Sequence, residues 1–213
     1  MRRYLLIAGV LFIIAVSFAW MGCGDSGSTD GSTDGDNTTN SGNPKMTIET
    51  DKGNIVIELF PDSAPNTVDH IKDLVNQQFY DDMMISRVQA DFAIQMGDPD
   101  CRRNSSLFLQ ECDLSGGSGT TVGLEPSNLT HNRGSVSMAH PTNNPNGNDS
   151  QFFICLNTTS CQNSKLDGNF TIFGQVTSGM DVVDQISCTI SNQDLGLCVP
   201  GTGDFMNRVT VSE

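Results

Sequence analysis

One stretch of this sequence is unable to fold, and its position constrains everything around it. From Gly24 to Pro44 there is no apolar side chain, only Gly, Ser, Thr, Asp, Asn and one Pro. A segment of this composition buries too little apolar surface to offset the entropy lost on ordering. As a flexible coil its 21 residues span about 25 Å root-mean-square. The stretch therefore predicts a linker between a short N-terminal segment and a folded domain over residues 45–213.

The segment before the linker has the layout of an export signal. Arg2 and Arg3 precede an apolar run that ends at Gly22 and Cys23, which predicts a signal peptide over residues 1–22. This ending resembles the lipobox of bacterial lipoproteins, in which a small residue precedes a Cys that is lipidated and becomes the mature N-terminus. We expect residues 23–44 to be a lipidated Cys and its linker, in a lipoprotein facing the periplasm or cell exterior and bound to the membrane through the lipid anchor only. An uncleaved transmembrane anchor and plain secretion are the alternatives.

The charge balance excludes one class of partner. Lys and Arg number 11 against 25 Asp and Glu, so the net charge is −14. Removing residues 1–22 would take two arginines away, giving 9 − 25 = −16. Such a surface repels phosphate backbones, and we expect no nucleic acid partner.

The cysteines indicate an oxidising compartment. Six remain besides Cys23, an even number, which favours structural disulfides in an exported protein. Fifteen pairings are possible in principle; neighbours in sequence would close short loops, and the pairing of Cys155 with Cys161 is the less certain. With no Cys-x-x-Cys and three scattered histidines, we expect neither a thioredoxin-like redox site nor a zinc site. The candidate disulfide residues are Cys101, Cys112, Cys155, Cys161, Cys188 and Cys198.

The rest of the domain reads as short strands with two isolated helices. Residues 46–50 and 54–60 alternate apolar and polar side chains around a turn at 51–53, which predicts a hairpin. A helix of about four turns follows, with Ser63 as a possible cap and Pro65 in its first turn. Further strands are expected at 87–96, 134–139, 151–156, 170–176 and 208–211, and a second short helix near 180–186.

The order of these segments resembles a known family. From about Met46 to the C-terminus, the chain is similar to the cyclophilins, which are peptidyl-prolyl cis/trans isomerases. The resemblance implies a mainly β fold, a closed eight-stranded antiparallel β-barrel capped by two α-helices. It also implies no metal and no organic cofactor, and a monomer that acts on proline-containing unfolded or partly folded polypeptides. The blocks that carry it are 79–82, 86–88, 91–99, 132–139, 150–154 and 166–174.

The resemblance also implies the site. Arg87 matches the family's catalytic arginine, whose permanent charge would stabilise the twisted X-Pro bond. Lys165 stands where many members have a Trp that helps to hold the inhibitor cyclosporin, so the resemblance does not carry cyclosporin sensitivity over to this chain. The substrate-binding positions are Phe92, Ala93, Gln95, Ala139, His140, Gln151, Phe153, Leu166 and Phe170, of which Ala93 and His140 depart from the common residues.

Two other functions are weighed against isomerisation. A non-catalytic module or chaperone could hold proline-containing segments in the same groove. A hydrolase is disfavoured, because the sequence shows no Gly-x-Ser-x-Gly and no Ser/His/Asp grouping.

Overall fold

A computed structural model describes residues 42–105 and 112–213. The expected signal peptide (1–22), Cys23 and the linker as far as residue 41 lie outside the described residues. In the described part no helix is long and apolar enough to cross a membrane. The helices are α1 Pro65–Asn76, α2 Thr158–Asn163 and α3 Met180–Val183. The strands are β1 Lys45–Thr50, β2 Gly53–Leu59, β3 Met83–Met84, β4 Arg87–Gln89, β5 Ala93–Met96, β6 Ser135–Met138, β7 Phe152–Cys155, β8 Ile172–Ser178, β9 Ile190–Asn192, β10 Leu197–Cys198 and β11 Phe205–Ser212.

The strands form one antiparallel sheet. Their order is β3-β11-β1-β2-β8-β6-β7-β5-β4-β10-β9, so the mainly β fold class is confirmed. The expected hairpin is present as β1 and β2, in which Ile48 faces Ile55 and Met46 faces Ile57. Along both strands buried side chains alternate with half-buried or exposed ones, which sends one apolar face to the core.

The expected count of eight strands and two helices is wrong, and the hydrogen-bonded order does not close on itself. Among the described residues the sheet has 11 strands. One reason is that the chain from Met83 to Gln89 changes partner: β3 pairs with β11, whereas β4 pairs with β5. The other is that β9 and β10 form an additional hairpin at the sheet edge. The helix α2 was not expected, because its only buried residue is Cys161 and it shows no apolar stripe.

The main core lies between the sheet and α1. Val68, Ile71 and Leu74 of the helix are buried against Ile57, Phe152 and other residues of the sheet. The expected Ser63 cap is wrong: Ala64 occupies the N-cap and makes no side-chain cap bond. Glu125, from a distant loop, instead accepts hydrogen bonds from the backbone N–H groups of Asn66 and Thr67 at 3.1 and 2.8 Å. The helix ends at Asn76, and two residues later Gln78 takes a positive φ of 56°.

All three neighbouring cysteine pairs form disulfides in the structure. They join Cys101 to Cys112, Cys155 to Cys161, and Cys188 to Cys198. The pairing that the sequence left open, between Cys155 and Cys161, is therefore present. Each bridge closes a loop of 6 to 11 residues, which restricts the unfolded chain.

Candidate active site

The sheet aligns the central candidate residues in one row. Arg87 of β4 faces Gln95 of β5, Gln95 faces Phe153 of β7, and Phe153 faces Ser137 of β6. Residues directly opposite in an antiparallel sheet share a face. Phe152, the neighbour of Phe153, points the other way into the main core, as strand alternation requires. Residues far apart in sequence thus meet on one outer face.

Arg87 is half-buried and held from three directions. Its Nε donates a hydrogen bond to the Leu195 carbonyl at 2.6 Å, and Nη1 donates to Gln95 Oε1 at 3.2 Å. Nη2 donates to Gln89 Oε1, and the guanidinium carbon lies 5.8 Å from the centre of the Phe92 ring. Burial lowers the pKa of Arg87 from its ordinary value, but an arginine stays charged near neutral pH. A guanidinium has five N–H donors, so two remain without a hydrogen bond to any described residue.

An apolar cluster lies beside the guanidinium. Phe153, Leu166 and Ala93 are almost fully buried in it, and the half-buried Phe92, Ala139 and Phe170 pack against them. The Phe153 and Phe170 rings meet edge to face with centroids 5.7 Å apart. His140 stacks on Phe170 at 4.3 Å. This surface is apolar on one side and bordered by N–H donors on the other, which suits a proline ring and its amide.

A chain of amide groups continues from Arg87 to an open cavity of about 630 Å³. Gln95 Nε2 donates to Gln151 Oε1 at 2.9 Å, and Gln151 Nε2 donates to the carbonyls of Leu114 and Gly116 at 2.9 and 2.8 Å. Both N–H donors of Gln151 are therefore engaged within the protein. A bound peptide would meet this side chain at its oxygen or would displace one of these bonds. The cavity is lined by Gln95, Ala139, His140, Gln151 and the loop at 114–117, among others.

A polar cluster, buried except for the exposed Asp167, supports Phe153 from behind. His131 Nδ1 lies 2.6 Å from Asp167 Oδ1 and Nε2 lies 2.8 Å from Ser137 Oγ, and its ring stacks on Phe153 with centroids 5.9 Å apart. Burial lowers the pKa of His131, although Asp167 opposes this effect. The expectation that the chain has no Ser/His/Asp grouping is thus wrong, because the fold brings Ser137, His131 and Asp167 into contact. Because Ser137 and His131 are both 0% exposed, no substrate reaches the hydroxyl, and the cluster supports the aromatic floor instead.

The structure brings all ten of the expected site residues to this region. The apolar ones form the cluster, and Gln95, His140 and Gln151 line the cavity. Sequence reasoning missed Gln89, His131 and the carbonyls of Leu114, Gly116 and Leu195. The cysteine pairs were the only sequence signal for these carbonyls. The pair 188–198 encloses Leu195, and the pair 101–112 stands just before Leu114 and Gly116. No group of three or more His, Cys, Asp or Glu in the described part of the chain could hold a metal ion.

Comparison with known proteins gives a consistent answer. Residues 45–199 match the profile described as cyclophilin type peptidyl-prolyl cis-trans isomerase/CLD. A Helicobacter pylori peptidyl-prolyl cis-trans isomerase is 37% identical over 144 residues, which are 66% of this chain and 78% of that protein.

Two further proteins agree. The peptidyl-prolyl cis-trans isomerase of Acinetobacter baylyi is 33% identical, over 68% of this chain and 72% of its own length. A crystal structure of a Cryptosporidium parvum cyclophilin type isomerase, solved in the presence of the dipeptide Ala-Pro, has the same fold, with a TM-score of 0.65 and 23% identity over 79% of this chain and 99% of that one. On the profile match and these identities, the chain belongs to the cyclophilin-type peptidyl-prolyl cis-trans isomerase family.

Proposed function

We propose that this peptidyl-prolyl cis/trans isomerase accelerates rotation about X-Pro bonds through Arg87. The observation that carries the proposal is a half-buried guanidinium, fixed by three acceptors, with two N–H donors left beside an apolar cluster. The substrates are proline-containing segments of unfolded or partly folded polypeptides.

The chemistry needs no covalent step. Rotation about the peptide bond meets a barrier of about 18 to 20 kcal/mol, because the nitrogen lone pair is delocalised into the carbonyl. In the twisted state that pair is localised on the prolyl nitrogen, where an N–H of Arg87 can donate to it. A charge-assisted hydrogen bond contributes about 1.5 to 3 kcal/mol, and about 1.4 kcal/mol corresponds to a factor of ten in rate. Arg87 would thus supply one or two decades, and the rest would come from the pocket.

The pocket would hold one side of the bond still while the other turns. Phe92, Phe153, Leu166 and Phe170 offer a floor for the proline ring, and the cavity beside Gln151 offers room for the preceding residue. Aromatic side chains are well suited to this task because they are large and lose little conformational entropy.

A substitution at Arg87 tests the proposal. We expect Arg87→Ala to slow isomerisation of an Ala-Pro-Phe peptide at least tenfold, measured by magnetisation exchange without a coupling protease. Arg208→Ala is the matched control, because Arg208 lies exposed on β11. Unchanged circular dichroism would show that both variants fold. An unaltered rate in Arg87→Ala would refute the catalytic role, and peptide binding without any acceleration by the wild type would select the non-catalytic binding module.

We also propose that the enzyme is an exported lipoprotein that assists folding outside the cytoplasm. Support comes from Arg2 and Arg3, the apolar run after them, Gly22 and Cys23, and the apolar-free linker. The three disulfides agree with an oxidising compartment.

Mass spectrometry of the protein expressed in a bacterial host tests this assignment. We expect a membrane-bound form that begins at acylated Cys23, and loss of acylation in Cys23→Ser but not in the linker control Ser26→Ala. A chain that still begins at Met1 would select the transmembrane anchor. An unmodified soluble chain would select plain secretion.

A further inference from the structure

A disulfide-closed hairpin lies directly beside the candidate catalytic arginine. Its strands are β9 and β10, and the turn between them is closed by a hydrogen bond from Gly196 N to the Asn192 carbonyl at 2.8 Å. Asn192 Oδ1 also accepts from the backbone N–H groups of Asp194 and Leu195, both at 3.1 Å. The turn is thus ordered by its own residues before any substrate arrives.

The hairpin is docked on both sides of Arg87. Leu197 pairs with Arg87 in the sheet. Val88 N donates to the Gly196 carbonyl at 2.8 Å, and Cys198 N donates to the Ser86 carbonyl at 3.0 Å. These bonds fix the backbone of the turn relative to the backbone of β4, and therefore relative to the arginine that β4 carries.

The base of the hairpin is anchored separately. Cys198 is 2% exposed and lies in a small apolar cluster with Met84 and Phe205. Its disulfide partner Cys188 packs against the same cluster. Two-stranded hairpins are marginal on their own in water, so the disulfide and this cluster hold the hairpin in one place.

The contact that reaches the site is a main-chain oxygen. The Leu195 carbonyl accepts from Arg87 Nε at 2.6 Å. The other two acceptors, Gln89 and Gln95, are side-chain amides on flexible stems, whereas the Leu195 oxygen is held by the docked turn. Because Nε lies in the plane of the guanidinium, this bond sets the orientation of the plane, and with it the direction of the two remaining N–H donors.

We propose that the Cys188–Cys198 hairpin positions Arg87 for prolyl isomerisation through the Leu195 carbonyl. The hairpin is a positioning element, since it acts on the reaction through Arg87. The proposal rests on the proposed role of Arg87 and names what holds that residue in the productive orientation.

Gly196 offers a sharp test. It has a φ of +68°, and a Cβ there would lie 2.8 Å from the Val88 carbonyl oxygen and 3.0 Å from Gln89 Cα, so Gly196→Ala would push the turn away from β4. Gly119→Ala is the matched control: Gly119 also has a positive φ, of +84°, but a Cβ there meets no atom within 4 Å. Both variants carry the same kind of backbone strain, and only one of them displaces the Leu195 carbonyl.

We expect Gly196→Ala to lower kcat about three- to tenfold with KM nearly unchanged, because an interaction made in the transition state is weakened while the apolar cluster stays intact. In the same variant the Arg87 Nε–H signal in NMR should move towards that of exposed arginines and exchange faster with water. Gly119→Ala should keep the wild-type rate and signal. A displaced Nε–H signal with an unchanged kcat would overturn the proposal, and so would a signal that stays in place although kcat falls.

A double-mutant cycle separates this proposal from the function itself. In an Arg87→Ala background, Gly196→Ala should cause no further loss, because the group that it misplaces is absent. A further loss of the same size would overturn positioning while leaving the role of Arg87 intact, whereas an active Arg87→Ala variant would refute that role itself. If Gly196→Ala fails to fold, the Cys188→Ser/Cys198→Ser double variant replaces it with the same expected outcomes.

Discussion

At the scale of single residues, His131 makes the region behind the site sensitive to acid. Burial lowers the pKa of this imidazole below its ordinary value of 6.5, in spite of the neighbouring Asp167. At pH values between the lowered pKa of the folded state and the value near 6.5 of the unfolded state, the unfolded chain binds more protons than the folded protein does. Stability therefore falls as the pH drops below about 6.5, and the loss is complete below the folded-state pKa.

The variant His131→Gln should remove this dependence, because glutamine does not titrate. Chemical denaturation at about pH 7.5 and pH 5.5 should show a smaller difference in the free energy of unfolding for the variant than for the wild type. An equal difference in both proteins would contradict the assignment to His131.

Lys165 gives a prediction about inhibition. It is exposed and directly precedes Leu166, a buried member of the apolar cluster. The resemblance to the cyclophilins implies a Trp at this position in many members, one that helps to hold cyclosporin. We expect Lys165→Trp to lower the cyclosporin concentration needed for half inhibition at least tenfold, since an indole adds both apolar area and an N–H donor. Lys165→Leu, which adds apolar area alone, should give a smaller gain. If neither variant becomes more sensitive to cyclosporin, residue 165 does not determine how strongly this protein is inhibited.

Single residues also show where sequence reasoning ends. The pair Phe152 and Phe153 could be divided between core and site, because alternation in a strand sends adjacent side chains to opposite faces. The Leu195 carbonyl could not be foreseen in the same way. Every residue has a carbonyl, and only the docking of the β9–β10 turn on β4 decides which one meets Arg87.

At the scale of elements, α1 depends on a carboxylate from outside the helix. Glu125 accepts from the backbone N–H groups of Asn66 and Thr67 and from the Thr67 hydroxyl at 2.6 Å. Burial raises the pKa of Glu125, but these hydrogen bonds outweigh it, so that the pKa lies below its ordinary value of 4.5. A group with a lowered folded-state pKa contributes stability above its unfolded pKa and loses it as the pH falls through the folded one.

We therefore expect Glu125→Gln to reduce the free energy of unfolding by about 1 kcal/mol at neutral pH, the usual size of a lost N-terminal cap. The difference from the wild type should shrink as the pH falls below about 4.5, where the wild-type carboxylate is itself protonated. Glu49→Gln, on the exposed face of β1, is the control. A loss that persists unchanged at low pH would contradict the charge-dependent part of the argument.

Elements whose apolar side chains recur at regular spacing could be predicted from the sequence. Elements defined by a cap or by a local backbone turn could not. The hairpin β1–β2 follows directly from its alternation. The segment 87–96 was expected as one strand but divides into β4 and β5, because Asp91 adopts a φ of 57° and Phe92 N bonds back to the Gln89 carbonyl at 3.1 Å. Helix α2 carried only a cap signal, Asn157, whose side chain accepts from Ser160 N at 3.1 Å.

At the scale of the whole molecule, two disulfide-bonded segments approach the site from opposite ends of the Arg87-Gln95-Gln151 chain. The bridge between Cys101 and Cys112 stands just before the Leu114 and Gly116 carbonyls, which bind Gln151. The loop closed by Cys188 and Cys198 binds Arg87. The sequence showed the candidate cysteines, but the convergence of these segments on one network depends on sheet order, which local patterns do not encode.

The large negative charge should affect which peptides the enzyme finds first. The whole chain carries −14, and a field of one sign raises the encounter rate of oppositely charged ligands while salt weakens it. We expect an Ala-Pro peptide flanked by Lys to be isomerised with a several-fold higher kcat/KM than one flanked by Glu at ~0.01 M ionic strength, where the Debye length is about 30 Å.

Raising the ionic strength is the control for that comparison. At ~1 M the Debye length shrinks to about 3 Å, so long-range attraction vanishes while contacts within the pocket remain. The two peptides should then be isomerised with nearly equal kcat/KM, and the change should arise mainly in the Lys peptide's KM, because steering alters encounter and leaves the rotation step at Arg87 untouched. A preference for Lys that survives high salt would instead indicate a direct contact between the peptide's cation and an acidic side chain near the site, and a preference for Glu at low salt would contradict steering altogether.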